Sequence, residues 1–171
     1  MDTQLFELAF THRSFAFEHG RIPSNERLEF LGDAVLQIVV TEHIFRSFPD
    51  LAEGQLAKLR ASVVSSHALA EVARGLDLGE LIRLGQGEIN TGGADKTSIL
   101  ADTMEAVIGA IHMSCGADAA ACFVHALLDE RIASSELKGH YTDYKTALQE
   151  YCAHSGLEPP ATRSSARDPI I

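Results

Sequence analysis

Apolar residues recur along this chain at the three- and four-residue steps of amphipathic helices. No segment before residue 155 alternates with the period of two that a half-buried strand requires. Leu5, Leu8 and Ala9 predict a short helix ending near Thr11-His12-Arg13-Ser14. Pro23 and Ser24 predict the start of the next, with Ser24 as its N-cap. From Asn25 to about Phe48 there is no proline and Gly32 is the only glycine, which predicts one long helix stopped by Pro49. Further helices are predicted over Gly54 to Val64, from Ser65-Ser66 to Gly75, over Gly79 to Leu84, from Lys96 to Met113 and from Asp118 to Ala133. The glycine-rich run from Gly85 to Gly93 reads as a loop. Polarity then rises over Ser134 to Thr142, and Gly139-His140 predicts a helix break. A separate amphipathic helix is expected over Asp143 to His154, with Leu148, Tyr151 and Cys152 on its apolar face. The expected class is therefore all-α, with a first domain over 1–138, a linker at 139–142 and a second unit over 143–171.

Composition narrows the setting. The chain has 171 residues with 46% hydrophobic content, enough for one ordinary domain with a real core. No apolar run approaches the roughly 20 residues of a membrane span, so no membrane association is expected. Met1-Asp2-Thr3-Gln4 has no basic character, so a signal peptide is not expected. Cys115, Cys122 and Cys152 are scattered thiols without zinc-site or disulfide spacing, which points to a reducing, cytoplasmic compartment. The formal charge of −10 is unlike that of a typical nucleic-acid-binding domain. Metal ions at an acidic centre and basic residues elsewhere can offset that balance locally.

Two acidic groups carry the candidate chemistry. Glu26, Glu29 and Asp33 follow i, i+3, i+7 spacing and fall on one stripe of the long helix. Leu28, Leu31, Val35, Leu36 and Val39 form its core face. Ser98, Asp102, Glu105 and Gly109 make a second stripe with the same spacing, and Gly109 would permit close approach of another helix or a ligand. Glu26 alone fits a solvated helix N-terminus. Asp102 and Glu105, set between Ile99-Leu100-Ala101 and Ala106-Val107-Ile108, face either a cavity or a partner. Carboxylates crowded by apolar neighbours repel one another and lose solvation unless a cation joins them. If the two helices meet, the four carboxylates would make an oxygen-rich site suited to Mg2+ or Mn2+.

The run Asn25-Glu26-Arg27-Leu28-Glu29-Phe30-Leu31-Gly32-Asp33-Ala34-Val35-Leu36 resembles the signature of the ribonuclease III family. Thr11 to Ser14, Glu53 to Ala61, Leu84 to Glu88 and Gly92 to Lys96 resemble further family segments in the same order, and Asp102-Thr103-Met104-Glu105 follows the signature by about 70 residues. The resemblance covers about residues 3 to 154. It implies an all-α endonuclease domain that forms a homodimer and cuts double-stranded RNA. The implied products have 5′ phosphates and short 3′ overhangs, and the implied setting is rRNA and mRNA processing. Glu29, Asp33, Asp102 and Glu105 match the family's metal-binding acids, with Asp33 and Glu105 as the catalytic pair. Glu26 matches a supporting acid, and Phe30 an aromatic of the dimer interface. The implied cofactor is Mg2+, with Mn2+ as a substitute. Two cations about 3.5–4 Å apart can serve the attacking water, the phosphorane and the leaving oxygen. Duplex specificity would come from A-form shape and 2′-hydroxyls.

Lys58, Arg60 and Lys96 are the expected RNA contacts. Lys58 and Arg60 lie about 200° apart on their helix, so one of the two is expected to serve. His12 is expected to brace the fold, and the Gly85–Gly93 run to position the helix of Asp102. Asp143-Tyr144-Lys145-Thr146-Ala147-Leu148-Gln149-Glu150-Tyr151 resembles the opening helix of a double-stranded RNA-binding domain. One helix plus 17 residues is too little to bury a core, so residues 143–171 are expected to be the truncated start of such a domain. The sequence leaves two rival readings open. One is a non-catalytic RNA-binding or ribosome-associated relative; the other is a helical structural domain with acid-rich faces.

Overall fold

The computed structural model of the chain describes residues 2–142, 151–152 and 154–157. The helix expected over 143–154 and the tail after it fall mostly outside the described residues. Two compact units divide the chain, Met1–Ser135 and Glu136–Ile171. The first unit holds every candidate site residue named from the sequence.

The elements are helical throughout: α1 Thr3–Ala9, α2 Arg13–Glu18, α3 Glu26–Ser47, α4 Glu53–Val63, α5 Ser66–Gly75, α6 Gln86–Asn90, α7 Thr97–Cys115 and α8 Ala117–Thr142. Two 3-10 turns, Leu78–Leu81 and Gly93–Asp95, join α5 to α6 and α6 to α7. Among the described residues no strand forms, and the one bridge pairs Thr11 with Arg83.

The centre of the fold is α7. Ile99, Leu100, Ala101, Met104, Ala106, Val107, Ile108 and Ala110 are all buried, so this helix is apolar on almost every side. It packs chiefly against α3 and α5, and also against α1. Its buried Thr103 donates its hydroxyl hydrogen to the Ile99 carbonyl at 2.7 Å, so that hydroxyl is satisfied, whereas the buried His112 Nδ1 on the same helix has no hydrogen-bond partner. On α3, Leu28, Val35, Leu36, Val40 and Ile44 face the same core. Leu31 and Val39 are only partly buried against it.

Small residues determine how closely α3 and α7 approach. A Cβ on Gly32 would lie 1.7 Å from the Glu105 carbonyl oxygen, and one on Gly109 would lie 2.3 Å from the Leu28 carbonyl oxygen. Either position filled by a larger residue forces the two backbones apart.

The start of α3 is pinned by the segments around it. Asn25 holds the N-cap position of α3 without a side-chain capping bond and is buried; its backbone N–H donates to the Thr11 carbonyl at 2.9 Å and its side chain to the Ala9 carbonyl at 3.3 Å. Ser24, expected as the cap, instead donates its hydroxyl to Glu26 Oε2 at 2.8 Å. The chain from Phe10 to His12 exchanges backbone hydrogen bonds with Arg83. Ser14 Oγ then accepts from the Gly85 N–H at 2.9 Å, and Glu18 accepts from the Gln86 N–H at 3.0 Å.

The structure corrects four local expectations. Residues 13–18 form α2, capped by His12, where only a helix end was expected. The 85–93 run is not all loop but holds α6, and the turn at Leu78–Leu81 is 3-10 and shorter than the predicted helix. The helix expected to stop near Ala133 runs on to Thr142, so 139–142 is helical where Gly139-His140 was expected to break it. A glycine in a helix interior costs only about 1 kcal/mol, less than enough to end a helix by itself.

The crossing can be tested by overpacking. Gly32→Ala inserts a methyl group against backbone that has no rotamer to yield. Inserted methylenes cost about 1–3 kcal/mol in adaptable cores, and the expected loss here is at least about 3 kcal/mol. Gly109→Ala should act in the same direction, and urea denaturation midpoints at constant slope measure both.

Candidate metal centre

The close approach of α3 and α7 turns two separate acidic stripes into one cluster. Glu29 from α3 and Asp102 and Glu105 from α7 each place a carboxylate oxygen within 4.8 Å of the others. All three are half-buried. Asp33, one turn along α3, is exposed and accepts a hydrogen bond from Gln37 Nε2 at 3.2 Å. It stands outside the tight group yet near enough to raise the Glu105 carboxyl. Glu26 lies on the rim, 3.8 Å from Arg13.

The electrostatics follow from burial and like charge. Burial pushes the Glu105 carboxyl up to about 8, and Asp33, Asp102 and Glu29 add to the shift. Burial also raises Glu29, assisted by Asp102 and Glu26 and opposed by Arg13. Asp102 is raised by burial as well, with His12 and Arg13 opposing. Three half-buried carboxylates therefore share one place without a full complement of positive charge. The donors are all oxygens, the set that hard divalent cations prefer. Glu29, Asp102 and Glu105 fit such an ion, while Asp33 stands beside the group without joining it.

A cleft of about 420 Å³ opens beside the cluster, with Arg13, Glu26, Glu29, Lys96, Ser98 and Asp102 in its walls. His12 also lines it. Its Nδ1 accepts from the Ser14 N–H at 3.2 Å, capping α2, so it braces the fold and faces the site at once. Burial lowers the His12 pKa and so favours the neutral ring, opposed chiefly by Glu88.

The basic residues singled out from sequence are placed unevenly. Lys96 lines the cleft, but its ammonium is already engaged, with Glu88 Oε2 at 2.5 Å and Thr91 Oγ1 at 2.7 Å. That pair ties α6 to the start of α7 and holds the Glu88 carboxyl below its usual range. Arg60 donates from Nη1 to Thr41 Oγ1 on α3 at 3.1 Å, and Lys58 is exposed on α4. Neither lines the cleft. Arg13, which sequence reasoning had not assigned to the site, lines the cleft and lies 3.8 Å from Glu26. Its signal was its place in the Thr11–Ser14 segment that resembles the family; the contact with Glu26 forms only in the fold.

The ribonuclease-III-like family pattern matches residues 2–131, most of the chain and all of the elements that build this centre. The chain belongs to the ribonuclease-III-like family. Ribonuclease 3 of Streptomyces coelicolor is 59% identical over 160 residues, covering 94% of this chain and 58% of that relative. Ribonuclease 3 of Thermobifida fusca is 57% identical over 152 residues, covering 89% of this chain and 63% of that relative. The chain thus spans about three fifths of the length of these relatives. Among solved structures, the nuclease domain of ribonuclease III from Campylobacter jejuni superposes with a TM-score of 0.71 at 45% identity, over 75% of this chain and 87% of that one. Structural flexibility is described there for a region involved in dimer formation. Dicer from Pichia stipitis superposes with a TM-score of 0.61 at 27% identity, over 80% of this chain and 58% of that one. The all-helical architecture is thus the ribonuclease-III-like one.

A raised carboxyl leaves a mark on stability. Between its unperturbed value of 4.5 and about 8, Glu105 is protonated in the fold and ionised in the unfolded chain. The folded state then binds the extra proton, so its contribution is full below 4.5 and is lost as pH rises toward 8. In EDTA the thermal midpoint should accordingly fall over that interval. Glu105→Gln should flatten the slope, and Mg2+ or Mn2+ should restore wild-type stability at the alkaline end.

Proposed function

We propose that the chain is the nuclease core of a divalent-metal-dependent endoribonuclease that hydrolyses double-stranded RNA as a homodimer. The observation that carries this reading is the convergence of Glu29, Asp102 and Glu105, with Asp33 beside them, where Glu29 and Asp102 line an open cleft. Membership of the ribonuclease-III-like family supports it.

A divalent cation bound there, Mg2+ with Mn2+ as substitute, would supply Lewis acidity toward the phosphodiester and a water of lowered pKa. Glu29, Asp102 and Glu105 would hold that charge. Asp33 and Glu105 are the acids closest to the reacting groups in this reading, with the exposed Asp33 available to orient water. Glu26 serves at the rim, where its partner Arg13 also tempers repulsion toward an incoming phosphate. Neutral His12 and the Lys96–Glu88 pair keep the cleft wall rigid. One of Lys58 and Arg60, which face different sides of α4, remains a proposed contact to RNA further along the duplex. The products would carry 5′ phosphates and short 3′ overhangs, in cytoplasmic rRNA and mRNA processing. Residues 143–171 are proposed as the start of a double-stranded RNA-binding domain, joined at 139–142 to the catalytic domain of 1–138.

The homodimer rests on the outer face of α3. Phe30 is 82% exposed, and Ile38 and Phe45 are 62% and 68% exposed on the same side of the helix. Such a row of large apolar groups is what a partner surface covers. Phe30 lies about 100° around α3 from Glu29, and Ile38 and Phe45 about 180° and 160°, so an interface on this row leaves the acids uncovered for RNA. Among the described residues no helix is long and apolar enough to cross a membrane.

Cleavage of a perfect RNA duplex in Mg2+ tests the reading directly. The Asp33→Asn, Glu105→Gln double variant should lose at least about 10³-fold in rate, several kcal/mol of barrier. Full activity in that variant would sink the assignment, and duplex binding in Ca2+ without any Mg2+-dependent cleavage would point to a non-catalytic relative. Separately, Phe30→Ala should weaken dimerisation by about 2 kcal/mol or more in sedimentation. An unchanged dissociation constant would remove Phe30 from the interface.

A further inference from the structure

A second convergence of metal-ligating side chains lies apart from the acid cleft, between α3 and α8. His125 Nδ1 is 2.9 Å from Asp129 Oδ1. His43 Nδ1 is 3.8 Å from the same oxygen. The two imidazoles are tilted by 52° with centroids 5.0 Å apart. One donor atom from each of the three residues falls within 4.8 Å of the others.

The pairing of His125 with Asp129 is local, since residues four apart share a helix face. His43 is not local: it arrives from α3, through tertiary packing alone. Two imidazoles turned toward one carboxylate oxygen form a nitrogen-rich pocket with one acid. This chemistry differs from that of the Glu29–Asp102–Glu105 cluster. Mg2+ and Ca2+ prefer oxygen donors, whereas two imidazoles and a carboxylate are a common set for Zn2+ and its neighbours, with a position left for water. Zn–N and Zn–O bonds of about 2.0–2.2 Å place tetrahedral donors roughly 3.4 Å apart. The His43–Asp129 separation of 3.8 Å lies just above that value and the His125–Asp129 separation of 2.9 Å just below it. His43 is mostly covered, while His125 and Asp129 keep an open side toward solvent.

We propose that His43, His125 and Asp129 form a binding site for a borderline divalent transition-metal ion, Zn2+ in the first instance, that fastens α8 to α3. The ion links the helix that carries Glu29 and Asp33 to the helix that closes the first unit. Its effect is structural: binding to the folded state alone raises thermal stability by mass action.

Co2+ titration of the full chain in excess Mg2+ tests this, with the Mg2+ occupying the oxygen cluster. A single Co2+ per chain should bind and show the visible absorption of a four- or five-coordinate ion. Zn2+ should displace it and raise the thermal midpoint. His125→Ala and His43→Gln should each weaken Co2+ affinity at least tenfold and abolish the Zn2+-dependent rise, while Glu105→Gln should leave both intact. Absence of Mg2+-resistant Co2+ binding in the wild-type chain would overturn the proposal without recourse to any variant. Retention of full affinity in His125→Ala, or its loss in Glu105→Gln, would overturn it as well.

Discussion

The contact of Gly32 with Gly109 is the constraint on which the rest of the structure depends. At that point two helices pass with backbone nearly touching backbone, a distance that no residue with a Cβ would allow. The consequence lies one turn away on each helix. Glu29 and Asp33 flank Gly32, while Glu105 precedes Gly109 by a turn, so the crossing delivers the acids to one another. A wider crossing would leave the same residues as two ordinary solvated stripes.

That delivery carries an electrostatic cost which the protein only partly offsets. Burial and mutual repulsion raise Glu29, Asp102 and Glu105 together, Glu105 most of all. Arg13 and His12 oppose the shifts from the cleft wall, but Lys96 is drawn away into its pair with Glu88. The cluster is thus poised to exchange protons for a harder charge. A binding centre is commonly assembled in this way: the fold tolerates a locally unfavourable group because packing elsewhere, here the apolar surroundings of α7, holds it in place.

The α3 helix shows how much one element can serve. One side, with Leu28, Val35, Leu36, Val40 and Ile44, enters the core. A second carries Glu26, Glu29 and Asp33 to the cleft. A third exposes Phe30, Ile38 and Phe45, and His43 reaches α8 near its far end. These demands compete for a single helix surface, which explains why its polar and apolar residues are so mixed around the axis. A simple amphipathic pattern would have sufficed for a helix with only a core to serve.

Much of the fold was legible in the chain. Helical periodicity, Pro49 and the Ser65 cap located α3, α4, α5 and α7 to within a residue or two, because these signals act within one turn and need no partner. The short elements were less legible: α2 and α6 span six and five residues, too few for periodicity to register, and are held by bonds to other elements such as Gly85 to Ser14 and Lys96 to Glu88. The acids could be named from spacing and family resemblance, and Gly109 already suggested a close approach. Sequence alone therefore determined which groups face one side of each helix. Only the tertiary structure decided that Glu29 meets Asp102 and Glu105 while Asp33 stays at the edge, that Lys96 is already paired, and that His43 joins His125. Helical geometry is set by each residue's near neighbours, whereas distances between helices depend on how whole surfaces fit together.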